Sequence, residues 1–438
     1  MGIKVCKFGG TSLADSAQIN KVKTIIQSDP DRRYVVPSAP GKRSDKDQKI
    51  TDLLYLCHGH AKSGVAIDEV FNLIADRYRG IIADLGLSLN LDAQLDEVRS
   101  QLLAGASEDY AASRGEYLNG FIIADLLGYT FIDPADVIAF NDKGRFDADK
   151  TQTLMSARLS KVERGVIPGF FGAMPDGTIK TFSRGGSDIT GAIVARGANA
   201  SVYENWTDVS GLLMTDPRIV KNPKPIEVVT YRELRELAYM GASVLHDEAI
   251  FPVRQAGIPV NIRNTNAPDD PGSSIVPEAD PITHKGTITG IAGRKDFTVI
   301  AVEKAMMNAE VGFGRRLLNV LEVNGISYEH TPSGIDTMSV VVADKQLEGK
   351  LDKVLEEIRV ECHPDVLDVY PNMALIATVG RGMAYTPGIA AKVFNALAAA
   401  NVNIRMIDQG SSEINIIIGV DSNDFENAVR AIYNTFAS

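Results

Sequence analysis

A short β-prone run at residues 3–6 gives way at Gly9-Gly10 to a segment in which Ile19, Val22, Ile25 and Ile26 recur along one helical face. Asp15 and Gln18 stand at capping-box spacing just before it, so the chain opens as strand, glycine loop, helix. Residues 34–36 read as a second strand ending at Pro37-Ser38-Ala39-Pro40-Gly41, where the backbone turns. The same order returns far downstream. Residues 178–182 precede Ser183-Arg184-Gly185-Gly186-Ser187-Asp188 and a helical pattern, and residues 201–204 give a further strand. Strands alternating with helices in this way build a parallel α/β arrangement.

The pattern changes after residue 264. Pro268, Asp269, Asp270, Pro271, Gly272, Pro277 and Pro281 crowd residues 264–286, a composition that breaks helices and cannot continue a central strand. This stretch is a candidate boundary. From about Ile291 onward, short strands such as 298–302 and 340–343 alternate with helical patterns, as in an α+β region. That region is internally repeated: Gly312, Asn319, Leu321 and Gly334 return as Gly388, Asn395, Leu397 and Gly410, each at an offset of 388 − 312 = 76. Each copy has a glycine, an amphipathic helix (Leu317 and Leu321; Val393 and Leu397) and a small or polar cap (Gly325; Asn401). Two related modules follow from this.

Length and charge narrow the function. A chain of 438 residues with 45% hydrophobic content can hold two or more domains with substantial cores. A formal net charge of -11 offers no basic face for nucleic acid, so the expected partner is a small molecule. No segment reaches the apolar length of a membrane span, and Lys4 and Lys7 interrupt the start before a signal-peptide core forms. Cys6, Cys57 and Cys362 are scattered and odd in number, which fits a reducing, cytoplasmic setting. Cys6 also stands where a myristoylation signal after Met1-Gly2 wants Ser or Thr. Cys57, His58 and His60 have no second ligand pair at zinc spacing, so no metal ligand is assigned.

The two glycine segments carry the chemistry. Each can aim backbone amides and a helix N-terminus at an anion, and Lys7 adds the positive charge that phosphoryl transfer needs. No G-x-x-x-x-G-K-[ST] loop is present, which disfavours a P-loop enzyme. Arg184, next to Gly185-Gly186, suits bidentate recognition of a carboxylate. Asp188 either orients a cation or caps the helix that begins there. Taken alone, Glu116 reads as a solvated charge on a helix whose buried face is Leu118, Ile122 and Leu126. The turn residues from Trp206 to Gly211 and from Thr215 to Arg218 could hold a nucleotide, with Arg218 reaching polyphosphate. Residues 41–49 read as a mobile surface loop, serving either as a lid or as solubilising polarity.

Lys7-Phe8-Gly9-Gly10-Thr11-Ser12, the Arg184 to Asp188 run, and Thr207-Asp208 through Asp216-Pro217-Arg218 stand in the order of three blocks of the aspartate kinases. On these motifs the chain resembles that branch of the amino acid kinase family over essentially its full length. The resemblance implies an α/β fold: an amino acid kinase-like three-layer sandwich with a mainly parallel sheet over 1–290, then two α+β, ferredoxin-like ACT modules over 291–438. The modules would lie at about 297–365 and 370–438, with interleaving left open. The implied reaction is phosphoryl transfer from ATP, with Mg2+, to the side-chain carboxylate of L-aspartate. It gives 4-phospho-L-aspartate and ADP, the first step towards lysine, threonine and methionine.

By matching position, the resemblance puts Lys7, Gly9, Gly10 and Ser38 on the phosphates, and Asp188 beside the catalytic lysine. Glu116 would receive the substrate ammonium and Arg184 its α-carboxylate, with Gly186 and Ser187 alongside. Thr207, Asp208 and Arg218 would belong to the nucleotide side. The ACT modules imply feedback by lysine, threonine or both, and a homodimer or higher homo-oligomer. There the Gly312-Phe313 turn would face an effector carboxylate, and Ser327 or Glu329 its amine. One departure stands out: many relatives read Phe-Gly-Ala-Lys-Val-Leu-His where this chain has Met240-Gly241-Ala242-Ser243-Val244-Leu245-His246. Ser243 cannot supply the lysine's charge, and Lys42, Lys46 and Arg218 are the candidates to compensate. Two rival readings are a kinase of glutamate or another small acid, and an amino-acid sensor with a disabled kinase domain. A fused homoserine dehydrogenase is not expected, because no dinucleotide-binding domain follows the second module.

Overall fold

Burial in the first strand, β1 (Lys4–Phe8), sets up the layers of the fold. The computed structural model describes residues 2–183, 185–242, 247–277 and 287–437. They fall into two compact units, one formed by Met1–Leu212, Glu227–Tyr231 and Val244–Ala279, the other by Leu213–Ile226, Arg232–Ser243 and Asp280–Ser438.

In the first unit β1 lies within an eight-stranded sheet with β2 (Arg32–Pro37), β3 (Thr130–Phe131), β4 (Gly165–Val166), β5 (Val202–Thr207), β6 (Val228–Thr230), β7 (Val260–Asn264) and β8 (Ser273–Val276). The order is β6-β8-β7-β5-β1-β2-β4-β3, and every neighbour is parallel except β7 with β8. Cys6 pairs in register with Glu204 and Phe8 with Trp206, so these four share one face, while Lys7 and Asn205 share the other. The first face packs under α1 (Ser16–Gln27), α2 (Ile50–Lys62), α3 (Asp68–Asp84), α4 (Asp92–Leu103) and α5 (Glu108–Leu127). The second is covered by α6 (Ala148–Leu159), α7 (Gly186–Gly197) and α8 (Phe251–Ala256). Gly191 lets α7 approach closely, since a Cβ there would lie 2.5 Å from the Tyr203 hydroxyl.

Under the helical layer a buried carboxylate ties the central strands together. Glu204 accepts from Arg32 Nε at 2.8 Å, from Trp206 Nε1 at 3.0 Å and from Cys6 Sγ at 3.3 Å. The Arg32 and Arg263 guanidinium groups lie 5.2 and 4.7 Å from the Trp206 ring centre. A buried charge is tolerated when it is paired and its lone pairs are used, as here. Burial, followed by the Glu204 carboxylate, holds the Cys6 thiol well above its ordinary range, so it stays protonated.

Within the Pro-rich stretch 264–286, four residues form β8 between β6 and β7. Pro271 and Pro277 flank that strand without entering it. Gly272 (φ 68°) makes the turn into it, and a Cβ there would meet the Ile262 carbonyl oxygen at 1.9 Å.

The second unit holds a five-stranded antiparallel sheet of β9 (Gly290–Glu303), β10 (Thr337–Ala343), β11 (Val366–Val379), β12 (Met406–Asp408) and β13 (Asn415–Asp421), in the order β10-β9-β11-β13-β12. One core joins Ile300 and Val302 of β9 to α9 (Phe313–Val323) and α10 (Leu351–Cys362). The other joins Ile291 of β9 and Ile376 of β11 to α11 (Ile389–Ala399) and α12 (Phe425–Ala437). The sequence repeat is therefore structural: β9 and β11 start 366 − 290 = 76 residues apart, and so do α9 and α11. Gly312 (φ 85°) and Gly388 (φ 86°) make matching left-handed entries to those helices. Among the described residues no helix is long and apolar enough to cross a membrane.

Candidate active site

Lys7 leaves β1 on the face covered by α7, and its Nζ lies 2.6 Å from Asp188 Oδ1 in the first turn of that helix. Asn205 Nδ2 donates to the same oxygen at 2.8 Å. Asp188 thus orients a cation, and α7, entered through Gly185 (φ 58°), has no side-chain cap. Next along β1 the chain turns beside Lys7: a Cβ on Gly9 would sit 3.6 Å from Lys7 Nζ and 3.7 Å from the Trp206 carbonyl oxygen. Gly41 N–H donates to the Gly10 carbonyl at 2.9 Å, and a Cβ on Gly41 would fall 2.6 Å from that carbonyl. The turns after β1 and β2 therefore touch backbone to backbone, which only small residues permit.

These turns wall a cleft of about 660 Å³. Gly9, Gly10, Thr11, Ser38, Ala39, Glu116, Thr207 and Asp208 line it, as do Thr51 and the cations Lys42, Arg43 and Lys49. Lys7, Asp188, Gly186 and Ser187 are not lining residues, and Lys7 adjoins the cleft through Gly9. Gly186 packs against Phe170, and Ser187 is half-buried against Gly169. Thr207 Oγ1 donates to Asp208 Oδ1 at 3.2 Å at the cleft margin.

Glu116 departs from its reading as a solvated helix charge. It is 6% exposed, because α5 is packed on every side: Ala111, Ala112, Gly115 and Gly120 are buried along with Leu118 and Ile122. Burial pushes its carboxyl up to about 7, against the opposing pull of the Ala39 amide. Its Oε2 accepts no hydrogen bond from any described residue. One turn along, Asn119 donates to the Ser38 carbonyl at 2.7 Å while its own Oδ1 is likewise buried without a partner. A buried acceptor left open inside a ligand-sized cleft is suited to a cationic group arriving with the ligand.

Residues 41–49 form an anchored wall of the cleft rather than a free surface loop. Asp47 takes Arg43 through Nε at 2.9 Å and Nη2 at 3.0 Å, and Arg77 through Nη1 at 2.8 Å. Arg77 also donates to the carbonyls of Gly41 and Ala14 at 2.7 and 2.9 Å. The Arg43 hydrogen bonds, followed by those of Arg77, hold the Asp47 carboxyl far below the usual carboxylate range.

Arg184 and Ser243 lie outside the described residues. Arg218 belongs to the second unit, where it is exposed and paired with Asp216 at 2.6 Å. In that unit Phe313 is buried behind the Gly312 turn and Ser327 is exposed. Glu329 donates its N–H to Val341 at 2.8 Å and leaves Oε2 buried without a described partner. Asn205, Thr51 and Asn119 went unnoticed in the sequence. Only Asn205 carried a signal, since strand alternation aligns it with Lys7 once β5 is paired with β1.

Residues 2–264 match the Amino acid kinase family, and residues 376–436 match an ACT domain. The chain is 40% identical to Aspartokinase 3 of Bacillus subtilis (strain 168), across 99% of its own length and 98% of that protein's. It is 30% identical to the chloroplastic bifunctional aspartokinase/homoserine dehydrogenase 1 of Zea mays, over 99% of its own length, and spans 50% of that longer chain. Among solved structures it is similar to aspartate kinase of Clostridium acetobutylicum, with 58% identity, a TM-score of 0.92, and 99% and 100% of the two chains covered. E. coli aspartokinase III, solved with aspartate and ADP (R-state) and with lysine and aspartate (T-state), is similar at 26% identity in both forms. Those TM-scores are 0.73 and 0.72, with each chain fully covered (100%).

Proposed function

The chain belongs to the amino acid kinase family and, within it, to the aspartokinases; on that premise we propose how it moves the terminal phosphoryl group of ATP onto the side-chain carboxylate of L-aspartate. The products are 4-phospho-L-aspartate and ADP, the first step towards lysine, threonine and methionine. The observation that carries the reading is the Lys7–Asp188 pair beside a cleft walled by glycine backbone and containing the open acceptor of Glu116.

Aspartate's side chain, with a reference pKa of about 3.9, is already ionised at neutral pH, so its oxygen needs no strong general base. The obstacle is repulsion between that anion and the nucleotide's phosphates. Lys7 offsets it, together with the Gly10 amide, as charge redistributes in transfer, the Gly9 N–H being held by the Trp206 carbonyl at 3.1 Å. Asp188 keeps the lysine in place. Magnesium arrives as part of the Mg·ATP substrate. Among the described residues no three His, Cys, Asp or Glu side chains converge, and this ion commonly uses phosphates plus one or two carboxylates. Glu116 receives the substrate ammonium and Arg184 its α-carboxylate, an anchoring that misplaces the reactive oxygen of glutamate by one methylene.

The second unit is read as the regulatory part. The lysine complex of the E. coli relative and the open Glu329 oxygen beyond the Gly312 turn support lysine as effector, with threonine the alternative to test. Exposed Met306, Val311 and Ile335, near one another through the Asn308 to Ile335 backbone bond, support self-association there. Three free, buried cysteines support a cytoplasmic enzyme.

The test is acyl phosphate trapped with hydroxylamine, measured alongside ADP release, from Mg·ATP and L-aspartate. Turnover with L-glutamate should be lower by a factor of about 100 or more. Equal turnover of the two acids would reject the anchoring, and no aspartate-dependent ADP at all would favour the sensor.

A further inference from the structure

Asn205 does not line the cleft, yet it joins the Lys7–Asp188 pair beside it. Its Cα is the register partner of Lys7, so the two side chains leave adjacent strands on the same face of the sheet. It is 4% exposed, and its Nδ2 donates to Asp188 Oδ1 at 2.8 Å, the oxygen that Lys7 Nζ reaches at 2.6 Å. A carboxylate can only accept here, so the amide must present its NH2 to Asp188. The neighbouring Glu204 and Trp206 point to the opposite face, which keeps Asn205 out of their buried network.

We infer that Asn205 is a positioning residue of phosphoryl transfer: its neutral donor shares Asp188 Oδ1 with Lys7 and so sets where the lysine's remaining N–H groups point. The inference rests on the reading of Lys7 as the lysine that meets the transferring group. An ammonium has three donors. One is taken by Asp188, and the missing side chain of Gly9, whose Cβ would lie 3.6 Å from the nitrogen, leaves the ammonium uncovered on that side. Without the amide, Asp188 can rotate and carry Lys7 with it. With a carboxylate in its place, two anions compete for one ammonium and draw it back from the cleft. A carboxamide avoids both outcomes.

The test compares Asn205→Ala, Asn205→Asp and Lys7→Ala in the full-length enzyme by acyl phosphate formation, with kcat and KM taken for aspartate and for ATP. Trp206, the single tryptophan of the chain, reports folding by fluorescence. We expect kcat to fall about tenfold in Asn205→Ala and about a hundredfold in Asn205→Asp, with KM for aspartate within about twofold of wild type. The order of the two variants is the decisive readout. A packing role makes the isosteric Asp variant the milder one, whereas a charge-positioning role makes it the more severe. Wild-type kcat in Asn205→Asp, or a milder loss there than in Asn205→Ala, overturns the inference. Should Asn205→Ala fail to fold, Asn205→Asp against wild type decides alone. Wild-type kcat in Lys7→Ala overturns the underlying reading instead, while an inactive Lys7→Ala beside fully active Asn205 variants overturns only the positioning role.

Discussion

Glu116 offers a measurement in which stability and function move in opposite directions. Burial raises its carboxyl from 4.5 to about 7 in the folded chain. A carboxyl with a raised folded-state pKa favours folding most while it is neutral, below the unfolded value, and loses that advantage as pH rises through the folded value. The window is therefore about pH 4.5 to 7. At 1.36 kcal/mol per pKa unit, ionising the free enzyme costs roughly 3 kcal/mol, most of which accrues between pH 5 and pH 8. Glu116→Gln removes the titration. Its stability relative to wild type, followed by urea unfolding at pH 5, 6.5 and 8, should rise by about that amount across the series. Aspartate binding should run the other way. An arriving ammonium favours the ionised carboxyl, so calorimetry at pH 7 in buffers of different ionisation enthalpy should register release of about half a proton. Glu116→Gln should release none and bind aspartate about 10 to 100 times more weakly. A pH-independent stability difference, joined to proton-neutral binding in wild type, would refute the reasoning.

Two further outcomes follow from the geometry. Asp47→Asn cuts the tether of Arg43 and Arg77 to residues 41–49. Trypsin cleavage after Lys42, Arg43, Lys46 or Lys49 should then accelerate about tenfold, with KM for ATP raised several-fold; wild-type cleavage rates would show that the loop is held by other means. Glu329→Gln should raise the half-inhibiting concentration of lysine about tenfold in an activity titration, and an unchanged midpoint would remove Glu329 from the effector site.

The parts of this molecule that could be read from its letters are those governed by local chemistry. Strand, glycine turn and helix around Lys7 announce themselves, since backbone approach at Gly10 and Gly41 excludes larger residues. Glu116 misled for a definite reason. Periodicity identifies a buried face only where a helix has an exposed one, and α5 has almost none around residues 111–126. β8 was hidden by its length of four residues and by the prolines beside it, whose turns are what deliver a short strand into the sheet. The anchoring of residues 41–49 depends on Arg77, which is 30 residues from Asp47 in sequence and invisible to any local pattern. Asn205 illustrates the intermediate case. The alternation of β5 was available, but the strand it pairs with was not.

The repeat shows how far shared backbone geometry can part from shared chemistry. Glu329 and Arg405 stand at the common offset, 405 − 329 = 76. Each donates its N–H at 2.8 Å to a carbonyl of its module's later strand, Val341 in one case and Gly419 in the other. The backbone equivalence is thus physical as well as sequential. Yet the first position carries a carboxylate with a buried, unpartnered oxygen, while the second carries a guanidinium lying 5.4 Å from the Tyr370 ring centre. An amine that would be attracted at the first meets like charge at the second. Both modules keep the left-handed glycine, the helix and the paired long strands that build their cores, because packing requires them. Nothing in packing requires the same charge at a half-exposed turn, so there the two copies have been free to diverge. A positively charged effector group should therefore engage the first module in preference to the second.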